Sequence, residues 1–106
     1  MTEIDRVSFK IIAAVGGARS CFIDAIHAAG EGDFDRAQRL MDEGEEQFLQ
    51  GHDAHTELIQ QEAGGDPVHM TLIITHAEDQ LMSAESFKII ATEMIAMYKR
   101  FGSTEA

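Results

Sequence analysis

Apolar side chains recur along this chain in steps of three and four residues. Near the start, Ile4, Ser8, Ile11, Val15, Ala18, Phe22, Ala25 and Ala29 follow those steps. Towards the other end Ile73, His76, Gln80, Ser83, Phe87, Ile90, Met94, Met97 and Phe101 do the same. Such spacing marks one face of a helix and is incompatible with strand alternation. Met41, Phe48, Leu58 and Ile59 carry a weaker version between them, where Gly44 and Gly51 lower helix propensity. Two glycine-rich breaks separate the segments, Gly30-Glu31-Gly32-Asp33 and Gly64-Gly65-Asp66-Pro67. Asp33 suits the N-cap of a helix starting at Phe34, and Asp66 with Pro67 predicts a cap and a first-turn proline. Gly30 and Gly64 suit the position after a helix end, and Lys99 and Arg100 suit a C-terminus closed by Gly102. The pattern predicts an all-α chain: an antiparallel three-helix bundle in one domain over 1–106, with helices over about 3–29, 34–63 and 67–101.

Two features depart from a plain bundle. Gly16-Gly17 falls inside the first helix, at a cost of about 1 kcal/mol per glycine, and predicts a kink or a close helix contact. The start of the third helix is apolar in nearly every direction: Val68, Met70, Leu72, Ile73, Ile74, Ala77, Leu81 and Met82 surround the axis. Two neighbouring helices cannot cover such a segment, so self-association through the third helix is expected.

Composition narrows the function. The chain has 106 residues, with 8 Lys and Arg against 19 Asp and Glu, a formal net charge of -11. That balance excludes nucleic acid as a ligand, because phosphate contacts draw on clustered Lys and Arg, and it disfavours anionic lipid. A 44% hydrophobic content makes the charge that of a folded domain. The one cysteine, Cys21, cannot form an internal disulfide and is expected to pack as a small apolar side chain. Acids near the N-terminus argue against a signal peptide. The apolar stretches 11–18 and 68–77 fall short of the ~18 residues a membrane span needs. A cytoplasmic location without membrane insertion is the expectation.

Chemistry concentrates in polar residues on the third stripe. His76 and Gln80 stand where Ile or Leu is expected, and Asp79 lies one turn from His76. On the second helix His52 and His55 are one turn apart. If the second and third helices are antiparallel about Gly65-Asp66, His55 falls opposite His76 and His52 opposite Asp79. Two mechanisms fit such a cluster. One is a bundle metal site on imidazole and carboxylate, although the Glu-x-x-His order of di-iron bundles is absent. The other is nucleophilic chemistry at His76, whose neutral imidazole accepts a phosphoryl group, with Gln80 orienting the ring or the phosphoryl oxygens. The chain has no P-loop, so the phosphoryl would come from another protein. His27 and His69, near helix ends, read as solvated or capping. Met70, Met82, Met94 and Met97 read as core or subunit contact, and Asp42-Glu43-Gly44-Glu45-Glu46 as a solvated face.

Several segments in order resemble one family. Ile11-Ile12-Ala13, Gly16-Gly17-Ala18-Arg19-Ser20, Ala28-Ala29 and Gly32-Asp33-Phe34 form its first half. Gly51-His52, Thr56, Leu58, Gln60, Glu62-Ala63, His76-Ala77-Glu78-Asp79-Gln80-Leu81-Met82 and Tyr98-Lys99-Arg100 continue it. Together they resemble the lactose/cellobiose-specific enzyme IIA family of the bacterial sugar phosphotransferase system. The resemblance implies a cytoplasmic three-helix bundle that assembles as a homotrimer. It implies a phosphoryl group accepted on His76 from the histidine-containing phosphocarrier protein and passed to a cysteine of a cognate IIB component. That component phosphorylates a disaccharide entering through the membrane IIC component. It also implies that Asp79 points to the trimer axis and holds a cation such as Mg²⁺, which would relieve repulsion among three carboxylates. The usual motif reads His-Gly-Gln-Asp-His-Leu-Met, so Ala77, Glu78 and Gln80 are departures, as are His55 for a common glutamine and Gly17 for a common aspartate. The reading from a different class is a helical metal-binding or structural bundle using His52, His55, His76 and Asp79.

Overall fold

A computed structural model describes residues 1–102 of the chain. Three helices account for most of it: α1 (Glu3–Gly30), α2 (Phe34–Ala63) and α3 (Leu72–Gly102), with no strand among the described residues. They lie along one long axis, giving extents of 62 × 23 × 19 Å.

The helix ends follow from local chemistry. Thr2 and Asp5 form a reciprocal capping box at α1, each side chain accepting from the other's backbone N–H at 3.1 Å. Asp33 caps α2 as expected, its Oδ1 accepting from the Arg36 N–H at 3.1 Å. The left-handed turn positions are Gly32 (φ 83°) and Gly65 (φ 96°), each past the glycine that the sequence suggested, where a side chain would be strained.

The start of α3 differs from the expectation. Residues 67–71 are not helical, and the helix begins at Leu72 rather than Pro67. The first ladder bond runs from the Thr75 N–H to the Thr71 carbonyl at 3.1 Å, so Thr71 rather than Asp66 stands at the N-cap. Val68, in the non-helical stretch, is partly buried against the core. Burying that side chain wins over the local signal of Asp66-Pro67.

The α1 stripe forms nearly as predicted: Ser8, Ile11, Val15, Ala18, Phe22, Ala25 and Ala29 are buried, and Ile4 at its start is partly buried against the core. Ser8 is satisfied by its own helix, Oγ donating to the Ile4 carbonyl at 2.7 Å. Helix α2 closes on it through glycines. A Cβ at Gly44 would lie 2.6 Å from a Phe22 ring carbon, and one at Gly51 would lie 2.6 Å from Val15 Cγ1. These two positions make close contacts between α1 and α2, and of the Gly16-Gly17 pair Gly17 does so as well, against the Gln47 side chain of α2. A Cβ at Gly16 meets nothing within 4 Å, and one at Gly17 meets only the end of Gln47. The pairs Phe22 with Gly44 and Val15 with Gly51 run in opposite numerical senses, as do His55 with Glu78 and Glu45 with Lys88 between α2 and α3.

On α3 the buried face is Ile74, Ala77, Leu81, Ala84, Ala91 and Ile95. Each follows by one residue a member of the predicted stripe, a rotation of about 100°. The reason is size: three of these six are alanines, which let α3 approach α1 closely, while larger apolar residues are turned outward. Leu72, Met82, Ile89, Met97 and Phe101 are all more than half exposed. The methionines at 70, 82 and 97 are therefore not core. No described residue covers them.

Candidate functional site

The rotation of α3 brings the singled-out histidine to the surface. His76 sits in the second turn of α3, exposed, and its ring makes no hydrogen bond among the described residues. It is not an inner-face residue, because the adjacent Ala77 takes that place, fully buried. Gln80, one turn later, is half-buried, and its side chain is held from α1. Arg19 Nη1 donates to Gln80 Oε1 at 2.7 Å and to Ser83 Oγ at 3.1 Å. His76, Gln80 and Ser83 thus form one flank of α3, with a guanidinium fixed over its lower part. Asp79 is exposed on the other side of His76.

The histidines of α2 take different partners from those expected. His55 Nε2 lies 2.8 Å from Glu78 Oε2, so the residue across from His55 is Glu78 and not His76. His52 stacks against Phe48, ring centroids 6.1 Å apart, and its Nδ1 is 3.8 Å from its neighbour Asp53. It does not reach Asp79. The register was right to within a turn, but the rotation of α3 turns Glu78 to α2 and His76 away from it. Among the described residues no group of three or more His, Cys, Asp or Glu is placed to hold a metal ion. His52, His55, His76 and Asp79 are therefore not one cluster within the chain.

Two further contacts tie α3 to α2. Lys88 forms an ion pair with Glu45 and lies 5.8 Å from the Phe48 ring centroid. Glu45 is thus not part of a freely solvated acidic run, although Asp42, Glu43 and Glu46 are exposed. Cys21 is buried, with Gln47 Nε2 at 3.7 Å from Sγ. Burial pushes its thiol pKa up, and the charges of Glu43 and Asp24 add to the shift, so the thiol stays protonated and inert at neutral pH. His27 and His69 are exposed, as expected of helix-end residues.

The sequence did not show that Arg19 and Glu78 belong with these side chains. Arg19 follows the stripe residue Ala18 and is the only Lys or Arg between Lys10 and Arg36. That isolation was the available signal. Glu78 gave none, because its partner depends on the rotation of α3.

The His76 imidazole is thus an exposed group on outer α3, with the amide of Gln80 and the hydroxyl of Ser83 on its flank. The comparisons with known proteins name the class. The family described as PTS system, lactose/cellobiose specific IIA subunit matches residues 6–99. The lichenan-specific phosphotransferase enzyme IIA component of Bacillus subtilis (strain 168) is 40% identical over 98 residues, 92% of this chain and 89% of that protein. The crystal structure of the PTS cellobiose-specific enzyme IIA from Bacillus anthracis superimposes with a TM-score of 0.95 at 33% identity, covering 99% of this chain and 96% of that one. The IIA(Chitobiose) chain of the IIA(Chitobiose)–HPr complex of Escherichia coli gives a TM-score of 0.83 at 28% identity, with 97% and 100% covered. The chain belongs to the lactose/cellobiose-specific IIA family of the sugar phosphotransferase system. No helix among the described residues is long and apolar enough to cross a membrane.

Proposed function

We propose that this protein is a cytoplasmic phosphocarrier that accepts a phosphoryl group on His76. The donor is the histidine-containing phosphocarrier protein, HPr, and the recipient is a cysteine of a cognate IIB component. The observation that carries this reading is the exposure of the His76 ring, free of hydrogen bonds, on a helix fixed at its buried face by Ile74, Ala77 and Leu81. An unprotonated ring nitrogen there presents its lone pair to a docked phosphoryl donor. The new P–N bond forms as the donor's P–N bond breaks, and the donor imidazole leaves with the electron pair. In the next step a IIB thiolate attacks phosphorus and the His76 imidazole leaves. No external energy source is required, because phosphoramidate and thiophosphate bonds are both reactive. The protein's part is to hold the imidazole where partners can align it. The solution structure of the Escherichia coli IIA(Chitobiose)–HPr complex supports HPr as a partner for a chain of this fold.

We propose further that the protomer is an antiparallel three-helix bundle and the functional unit a homotrimer. The outward apolar residues Leu72, Met82, Ile89 and Met97 of α3 support this, because they are too many for a monomer's solvated face. A hard divalent cation takes six or more oxygen ligands, and on that side of α3 one chain brings only Asp79 to this level of the helix, the other exposed acid there, Glu93, lying about 21 Å further along. One chain therefore does not fit Mg²⁺, whereas three Asp79 side chains at a symmetry axis would hold Mg²⁺ or a similar cation with water. The cation would offset repulsion between carboxylates. Gln80, whose carbonyl oxygen faces Arg19, keeps its amide N–H groups for the His76 ring or its phosphoryl oxygens. The sugar moved by the membrane IIC component, reached only through IIB, is of the disaccharide class; lactose, cellobiose and chitobiose are its type.

The relay itself is the test. Phosphorylated protein mixed with its cognate IIB should transfer the phosphoryl to the IIB cysteine, and a Cys→Ser IIB should leave it in place. Retention of the phosphoryl in the presence of the intact IIB would count against the carrier role.

A further inference from the structure

Arg19 carries a positive charge beside the site that no carboxylate among the described residues neutralises. Its Nη1 donates to two neutral acceptors, Gln80 Oε1 at 2.7 Å and Ser83 Oγ at 3.1 Å, and it pairs with no carboxylate among the described residues. The chain has 19 acidic against 8 basic residues, so a half-buried guanidinium without an acidic partner runs against its composition. Lys88, the first lysine after His76 on α3, is committed to Glu45. Nη1 uses its two hydrogens on Gln80 and Ser83, which leaves the Nε and Nη2 hydrogens of the guanidinium fork.

The place of that fork matters. Gln80 is one turn from His76 on the same flank, about 6 Å along the axis at 1.5 Å per residue. Side chains on a helix lean towards its N-terminus, so Gln80 and Ser83 project towards His76 and hold the guanidinium on that side. A phosphoryl group on His76 extends the ring outward and brings about two negative charges next to Glu78 and Asp79. In a chain of net charge -11 that group needs a cation with a planar, bidentate fork.

We propose that Arg19 is the phosphoryl-binding residue of the phosphorylated state, donating from Nε and Nη2 to the phosphoryl oxygens on His76 while Gln80 and Ser83 hold Nη1. The assignment rests on His76 being the acceptor. A residue that only stapled α1 to α3 would act equally on both states of the protein. A phosphoryl-binding residue acts on one.

The experiment compares the parent with Arg19→Gln, Arg19→Lys and His76→Ala. Each is charged with phosphoenolpyruvate, enzyme I and HPr, and three quantities are read: the partition of phosphoryl between HPr and this protein, its phosphorus NMR shift, and the melting temperature of charged and uncharged protein. Arg19→Gln is expected to lower the partition towards this protein about tenfold, the scale of a lost charge-assisted pair, and to move the phosphorus resonance. Its charged form should lose more melting temperature than its uncharged form. Arg19→Lys, which keeps charge without the fork, is expected to fall between. Equal loss of melting temperature in both states, with unchanged partition and resonance in either variant, would leave Arg19 a staple and overturn the assignment. Phosphorylation that persists in His76→Ala would overturn the acceptor reading, and this one with it.

Discussion

The seam between α1 and α2 and the outward side of α3 are built on opposite plans. At the seam the backbones close through Gly44 and Gly51, and Phe22 and Val15 fill the space that a Cβ would occupy. Across the bundle, α3 shows alanines to the core and turns Leu72, Met82, Ile89 and Met97 to solvent, beside the exposed His76. Near its end Met94, Met97, Tyr98 and Phe101 line an open groove of about 280 Å³. One region is finished by the chain itself. The other leaves large apolar side chains and the His76 ring open to solvent.

Substitutions at the seam should therefore act on folding and those on outer α3 on association. Phe22→Ala is expected to have the largest effect on stability, a loss of about 3–5 kcal/mol in urea unfolding, since the ring is fully buried. Gly44→Ala and Gly51→Ala should each cost about 1–3 kcal/mol, because overpacking at 2.6 Å outweighs alanine's better helix propensity. A gain in stability at either glycine would show that the seam is looser than its geometry. Met82→Glu should change the unfolding of dilute, dissociated protein by no more than about 0.5 kcal/mol. The same variant should shift sedimentation at micromolar concentration from trimer to monomer, and a parent chain that sediments as a monomer breaks the comparison.

The smallest effect is expected at Cys21. Its raised pKa makes thiolate scarce at pH 8, so iodoacetamide should label it several-fold more slowly than a free thiol, and faster once urea opens the seam. The sign on stability follows. The folded state disfavours the thiolate, so this contribution is complete below the ordinary thiol pKa and declines as pH rises above it.

The two regions also differed in how much their sequence disclosed. On α1 seven of the eight stripe residues are buried and Ile4 is partly so, because large and small apolar residues there share one face, while Cys21 and Ala28 widen that face beyond the stripe. Asp33 at the N-cap of α2 was equally plain. On α3 apolar residues surround the axis, and periodicity alone cannot tell which face meets α1. The alanine face won, moving the stripe by one residue and placing His76 outside. That rotation also exchanged His76 for Glu78 opposite His55. The first turn of α3 was misplaced for a similar reason: Asp66-Pro67 is a good local start, but the packing of Val68 postpones the helix to Leu72. The glycines at 44 and 51 were visible as weak helix formers, and their purpose appeared only with Phe22 and Val15 against them. Among the site residues His76, Asp79 and Gln80 were named from sequence, whereas the pairing of Gln80 with Arg19, 61 residues away, needed the packed helices.

The central claim is that the free imidazole on outer α3 is the phosphoryl acceptor. Intact-mass spectrometry after incubation with phosphoenolpyruvate, enzyme I and HPr tests it most directly. The expected result is one added phosphoryl group per chain in the parent and in His55→Gln, lost on brief acid treatment, and none in a folded His76→Ala. An unchanged mass in the parent, or the same gain in His76→Ala, would contradict the account.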